Sequence, residues 1–430
     1  MAPYPLVRYL AHPLRVSGPI LEARLSGVAI GEVCHVYKSD SDRTLVAKAQ
    51  VLGFDRDSTL LSLIGSVKGL ARDMVIAPTG HALLAEVSAQ LAGAVVAPSG
   101  EVVERLAQPA SRVESEWRAV DSTPPSYEQR RGISEPFTTG VRAIDGLLTC
   151  GIGQRMGIFA AAGCGKTTLM EMLINHAAAD IFVVALIGER GREVSEFVEA
   201  LRQSDRRSRC VLVYATSDYP ALDRVNAAAL AMTIAEYFRD RGLNVLLFID
   251  SITRYARALR DVALAAGEPP ARRGYPASVF EKLPALLERP GCTQQGSITA
   301  FFTILLESEE ESDPIAEEVR SIIDGHIVLS RKLASKNHYP AIDVLRSISR
   351  VSLRVTSEPH QQLAGNLRDL LAKIEELQVL LDFGEYQQGV NAENDRAFQA
   401  MAEVRDFLCQ PRHTPEGMND TLTRMQYLVY

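Results

Sequence analysis

The stretch Gln154–Leu169 constrains this chain most. An apolar run suited to a buried strand, Met156 to Ala160, gives way to the turn Ala161-Ala162-Gly163-Cys164-Gly165. Lys166-Thr167-Thr168-Leu169 follows, with Met170, Met172 and Leu173 at helical spacing. Strand, glycine turn and helix in that order form the context of a phosphate-binding loop. Backbone N–H groups from Gly163, Cys164, Gly165, Lys166, Thr167 and Thr168 can close round a polyphosphate at the positive end of a helix. Lys166 supplies a point charge to the outer phosphates, and the Thr167 hydroxyl is placed to ligate Mg²⁺. The pattern G-x-x-x-x-G-K-[ST] opens here on Ala160, which restricts the turn but removes no donor. A chance glycine turn is the bland alternative; the agreement of strand, turn, Lys-Thr and helix weighs against it.

The rest of the composition bounds the class. At 430 residues the chain has room for two to four domains, and 47% hydrophobic with 23% charged residues is ordinary for a globular protein. A net charge of −7 argues against a general nucleic-acid binder, which needs a clustered cationic excess. Cys34, Cys150, Cys164, Cys210, Cys292 and Cys409 are widely spaced without a C-x-x-C pair, so reduced thiols are expected rather than a disulfide or metal framework. The start, Met1-Ala2-Pro3-Tyr4-Pro5, does not resemble a signal peptide. No window approaches ~18 consecutive apolar residues, so any membrane contact is expected to be peripheral.

Along the chain, residues 1–76 carry short β-type runs (Val28 to Ile30, Glu32 to Val36, Thr44 to Gln50, Leu60 to Ile64) between glycines, the pattern of a small β-barrel or sandwich. Ala77 to Gly80 reads as a linker, Leu91 to Val103 as two strands about a Pro-Ser-Gly turn, and Arg105 to Ser134 as an extended connection. From Met156 to Leu329 apolar runs alternate with helical patterns, predicting an α/β domain with a parallel sheet covered on both faces. After Glu358 the chain reads as helical over Gln361 to Leu381 and Glu393 to Cys409, with the extreme tail loosely patterned. The predicted domains are therefore 1–76, 77–358 and 359–430.

Further candidates follow other apolar strands. Asn244 to Asp250 has the form of a strand ending in a carboxylate that would hold the hydration shell of Mg²⁺; a helix N-cap is the alternative reading of Asp250. Glu189, in Gly188-Glu189-Arg190-Gly191-Arg192-Glu193, would orient the water that attacks a γ-phosphate, or else pair with Arg190 or Arg192. Tyr339 would stack on an adenine face or serve as a core tyrosine, and Arg350 would place a guanidinium on transition-state charge or remain a surface arginine.

These residues together resemble the ring-forming ATPases related to the catalytic subunit of rotary ATP synthases. Gly163 to Thr168, Gly188-Glu189-Arg190, Leu246 to Asp250 and Pro340 through Arg350 occur in that family's order. Gly146 to Arg155, Phe238-Arg239-Asp240, Asp250 to Arg257 and Gly274 to Phe280 are similar to the type III secretion ATPases, especially those of invasion-type injectisomes. The resemblance covers nearly the whole chain, most specifically Pro136 to Val351, and fades in the last twenty residues. It implies an N-terminal β-barrel that serves oligomerisation, a central RecA-like P-loop domain and a C-terminal helical domain that docks chaperones, effectors and partners. It also implies a homohexameric ring, with Lys166 and Thr167 on phosphate and Mg²⁺, Glu189 as catalytic carboxylate and Asp250 at the metal. Tyr339 becomes the adenine-stacking residue and Arg350 a finger reaching into a neighbour's site.

By the same resemblance, Pro269 to Pro276 with Arg272 and Arg273, and the acidic stretch Glu307 to Asp313, would face the ring's pore. The C-terminal domain lacks the acidic helix-loop of a proton-coupled rotary subunit. The implied protein is a protein-secreting ATPase at the cytoplasmic face of a bacterial inner membrane, coupling hydrolysis to chaperone release, unfolding and export. Its implied partners are a coiled-coil central stalk protein, a peripheral stalk regulator, the export gate and cytoplasmic sorting platform, and chaperone–effector complexes, with no specific nucleic acid. A flagellar export ATPase would share the catalytic set. A Rho-like RNA translocase would add exposed aromatics and a basic groove, whereas residues 1–76 hold one phenylalanine, Phe54, and three tyrosines. A nucleotide-binding ring subunit without hydrolysis is disfavoured by Lys166 and Glu189 being present together.

Overall fold

The computed structural model describes residues 9–65, 68–109, 114–307 and 313–429. Its first unit is a sheet of six antiparallel strands, Pro13–Ser17, Ile20–Ala23, Glu32–Tyr37, Leu45–Asp55, Ser58–Ile64 and Val75–Ala82. Ala11, two residues before the first strand, bridges to the last: Ala11 and Ile76 exchange N–H···O bonds of 3.1 and 2.8 Å. The sheet curls about a core of Leu21, Val36, Val51, Leu61 and Leu63.

Two sequence expectations fail here. Val28–Ile30 lies outside the strands. Ala77–Gly80 is no linker but part of strand Val75–Ala82, so the sheet outruns the expected boundary at residue 76. Its proline is tolerated because Pro78 faces Cys34 next to a register shift, and Gly80 N donates to Glu32 Oε1 at 2.8 Å.

The central sheet runs, in spatial order, Gly325–Leu329, Arg155–Ala160, Ser297–Leu305, Asn244–Asp250, Ile181–Ile187, Cys210–Ala215 and Ala94–Val96, all parallel. Every residue of Ile181–Ile187 is buried, as a strand covered on both faces must be. The period of two splits its side chains: Val183, Ala185 and Ile187 pack under helices Ala221–Arg239 and Ile252–Ala265. Phe182, Val184 and Leu186 pack on the opposite face with helices Lys166–His176 and Gly191–Gln203. The two strands about the Pro-Ser-Gly turn, Ala94–Val96 and Val102–Arg105, form one antiparallel margin.

The other margin was not legible. Ile342–Ser349 is an antiparallel edge strand on Gly325–Leu329, with a register shift between His326 and Val328. The Ser347 hydroxyl accepts from Val328 N at 2.9 Å inside that irregularity. The bulge and solvent on one side break the alternation that a sequence reader needs.

Three helices, Glu358–Phe383, Ala392–Leu408 and Met418–Val429, complete the chain, and no described helix is long and apolar enough to cross a membrane. The last is a helix where loose pattern was expected. Its Met425 packs so close to Gly146 that a Cβ there would lie 2.6 Å from the sulfur. Buried Arg142, at the start of the short helix Arg142–Leu147, ties these helices to the central domain: its Nε donates to the Phe407 carbonyl at 2.7 Å, Nη1 to Glu416 at 2.7 Å, and Nη2 to the carbonyls of Asp406 and Cys409. One guanidinium thus holds the end of helix Ala392–Leu408 and Glu416 beyond it, so an Arg142→Ala variant is expected to lose about 3 kcal/mol of stability in urea melts. A wild-type midpoint would contradict this account of the junction.

Candidate active site

Three parallel strands of one sheet end at the same side, the first separated from the other two by Ser297–Leu305, and each delivers one charged group at its carboxyl end. Arg155–Ala160 leads into the loop before Lys166, Asn244–Asp250 ends in its own carboxylate, and Ile181–Ile187 leads to Glu189. Carboxyl ends of open parallel sheets are where ligands of such folds bind. The loop turns on two left-handed glycines, Gly163 and Gly165, both at φ +81°, with Cys164 buried between them. Gly165 also caps helix Lys166–His176, leaving the first-turn N–H groups without helical partners. A Cβ on Gly165 would lie 2.9 Å from the ring of Tyr339, so a side chain there has no room. Tyr339 is thus brought to the loop; Ala160, Leu329 and Ile342 lie in register across three strands at this end of the sheet.

Lys166 Nζ lies 2.6 Å from Asp250 Oδ1 and 3.4 Å from Glu189 Oε1. Burial alone would lower the pKa of Lys166, but Asp250 and Glu189 outweigh it and raise it, so the group stays an ammonium. Glu189 is 3% exposed. Burial first, then the neighbouring Asp250, pushes its carboxyl up to about 7, against the pull of Lys166 and Arg254. Neither Arg190 nor Arg192 is the nearest cation to it: they pair with Glu193 and Glu196 at 3.9 and 3.2 Å. Asp250 is not the helix cap either. That role falls to Ser251, whose Oγ accepts from Arg254 N at 3.3 Å.

Three contributors escaped the sequence reading. Arg254, in the first turn after Asp250, places Nη1 3.1 Å from Glu189 Oε2 and also donates to the Gly188 carbonyl. Gly188, at φ +70°, leaves room for it, since a Cβ would come within 3.1 Å of Arg254 Cβ. Glu193 shares a hydrogen bond with Glu189. Thr303 donates to Asp250 Oδ1 at 2.6 Å. The visible signals were an arginine four residues after the strand's carboxylate and a threonine inside an apolar run.

Arg350 stands elsewhere. Ser349 is in register with Gly325, and Gly325 with Met156, so Arg350 sits at the amino end of the strand whose carboxyl end carries the loop. Four residues at about 3.3 Å each, roughly 13 Å, separate Met156 from Ala160 before the loop begins. Arg350 is exposed, with its backbone N on the Asp324 carbonyl at 2.9 Å and Nη2 on the Arg320 carbonyl at 3.3 Å. Of the two segments expected to face a pore, Arg272 pairs with Glu317 at 2.7 Å and Glu307 with Arg257 at 2.6 Å. Residues 308–312 lie outside the described residues.

Comparison with known proteins agrees with this arrangement. The nucleotide-binding domain model of the ATP synthase alpha/beta family matches residues 140–349, and that family's beta-barrel domain matches 14–80. The C-terminal domain model of the T3SS EscN ATPase matches 356–427. The chain is 59% identical to the SPI-1 type 3 secretion system ATPase of Salmonella typhi, covering 98% of this chain and 97% of the relative. It is 49% identical to the type 3 secretion system ATPase of Xanthomonas euvesicatoria, over 95% and 91%. The flagellum-specific ATP synthase of Bacillus subtilis is 42% identical over 96% and 94%. Among solved structures, the assembled ATPase EscN from the enteropathogenic E. coli type III secretion system superposes with a TM-score of 0.89 at 44% identity, covering 98% of this chain and all of that one. EscN in complex with its central stalk EscO gives 0.88 at 43% identity, with 98% and 100% covered.

Removing the ammonium leaves two carboxylates facing each other beside Arg254. A Lys166→Met variant is expected to lose about 3 kcal/mol at pH 8 without nucleotide and to recover most of it by pH 5, as the raised Glu189 carboxyl protonates and the repulsion with Asp250 is relieved. Thermal melts against wild type across that range check the sign; a pH-independent difference would contradict it.

Proposed function

This chain belongs to the type 3 secretion system ATPases of the ATP synthase alpha/beta family, and we propose that it works as one segment of a homohexameric ring in which each reaction centre is shared by two copies. The observation that carries this reading is the placement of Lys166 and Arg350 at opposite ends of one sheet. A head-to-tail contact that sets the amino end of one sheet against the carboxyl end of the next brings a neighbour's Arg350 to the loop. Repeated by rotation, such a contact closes a ring.

Within each centre, backbone N–H groups of residues 163–168 cradle the phosphates of ATP, and Lys166 turns from its carboxylates to the β- and γ-phosphates. Tyr339, beside Gly165, offers its ring to the purine. Glu189 aligns the attacking water and receives its proton. The neighbour's Arg350 offsets charge as the γ-phosphoryl group leaves. The Thr167 hydroxyl and the Asp250 carboxylate are hard oxygen donors on either side of the loop, a set that suits Mg²⁺ with nucleotide phosphates and water. When bound, that ion would neutralise phosphate charge; Thr167 would ligate it and Asp250 would hold its water.

Hydrolysis is coupled, in this reading, to chaperone release, unfolding and export of secreted proteins. The ring sits peripherally at the cytoplasmic face of the inner membrane, with a central stalk, a peripheral stalk regulator, the export gate and sorting platform, and chaperone–effector complexes as partners. Support for the stalk is the EscN–EscO complex, and the 59% against 42% identities favour secretion over flagellar export.

An Arg350→Ala variant is expected to assemble and bind ATP while kcat falls about a thousandfold; size-exclusion chromatography, nucleotide binding and phosphate release are measured on one preparation. Normal turnover in the assembled variant would refute the shared centre. Since Glu189 must be ionised to accept a proton and its carboxyl sits near 7, kcat is expected to rise with pH through that region and to plateau above it. A flat profile from pH 5.5 to 8.5 would remove Glu189 as the base.

A further inference from the structure

We infer that Thr303 is a positioning residue for ATP hydrolysis, holding the Asp250 carboxylate in one rotation when Lys166 leaves it for the phosphates. The inference rests on the functional reading above. Thr303 lies on the strand Ser297–Leu305, one residue beyond the pair Ile249 and Phe302, and so beside Asp250. It is fully buried among Ala300, Phe301, Phe302 and Ile304. A hydroxyl in such a run is costly unless it is hydrogen-bonded.

One proton is available to it and two acceptors are in reach: Asp250 Oδ1 at 2.6 Å and the Ile249 carbonyl at 3.3 Å. The shorter bond, at the length expected for a hydroxyl on a carboxylate, goes to Asp250. Lys166 Nζ reaches the same oxygen at 2.6 Å. Both donors therefore engage Oδ1, and neither engages Oδ2. The two differ in permanence. Lys166 sits on a flexible stem and serves the phosphates once ATP is bound, whereas Thr303 is fixed in a strand of the sheet. That strand is itself strapped to the helix after Asp250, because Leu305 N donates to Thr253 Oγ1 at 2.9 Å. Thr303 thus keeps the carboxylate aimed during the part of the cycle when its cationic partner is elsewhere.

The test uses the full chain with Thr303→Val, which removes the hydroxyl, and Thr303→Ser, which keeps it. Binding of a fluorescent ATP analogue is followed while Mg²⁺ is titrated, alongside kcat and KM. For Thr303→Val the Mg²⁺ midpoint is expected to rise about tenfold and kcat to fall about tenfold, with Mg²⁺-free binding unchanged. Thr303→Ser is expected to match wild type. Should Thr303→Val not fold, Thr303→Ala gives the same readout. A wild-type Mg²⁺ midpoint in the hydroxyl-free variant, or a serine variant as impaired as the valine one, would overturn the inference. Wild-type protein whose nucleotide binding ignores Mg²⁺ would instead overturn the reading of the site on which it stands.

Discussion

The carboxylate of Asp250 is the point at which the architecture and the chemistry meet. One of its oxygens is shared by Lys166 from the adjoining loop and by Thr303 from the strand between them. Three consecutive elements of the sheet are thereby tied at their carboxyl ends by two bonds of 2.6 Å. Charge is stable in so buried a place because the sign alternates: Asp250 and Glu189 on one side, Lys166 and Arg254 on the other. Lys166 approaches Asp250 at 2.6 Å and Glu189 at 3.4 Å, and in Glu189 burial and the Asp250 charge outweigh the pull of the cations.

Much of this was written plainly in the chain. The parallel strands were legible because each is buried on both faces and reads as an unbroken apolar run, and the loop because glycines and Lys-Thr have few other uses together. Lys166, Glu189 and Asp250 were found by following those runs to their ends, where the fold does bring them within 3.4 Å. Features that depend on tertiary partners were hidden. Ile342–Ser349 lacks period-two alternation because it is an edge strand crossed by a bulge, and Ala77–Gly80 mimics a linker because its proline sits by another. Arg254 and Thr303 left only slight local signals in the chain; the role of each is set by the acceptor it faces.

The ends of the sheet also divide the labour of the molecule. At one end stand the loop, Tyr339 and the charged cluster; at the other stand Arg350, Arg320 and the Arg155–Asp324 pair, joined at 2.9 Å. A sheet of this width is stiff, so the separation between these two sets of groups is fixed by strand length. The Ala11–Ile76 bridge links the two margins of the first sheet, and one of that unit's contacts with the ATPase domain is made by Gly65 N, which donates to both oxygens of Asp223 at 3.0 Å.

Arg142 gives the C-terminal helices a particular mechanical standing. Its guanidinium grips the end of one helix, Ala392–Leu408, through the carbonyls of Asp406, Phe407 and Cys409, while its own backbone N–H is held by Gln410 at 2.9 Å. Gln410 in turn receives nothing slack: its N–H donates to the carbonyl of Tyr339, also at 2.9 Å. Whatever leans on the last helices therefore works on a short lever, whose far arm is the ring that rests on Gly165.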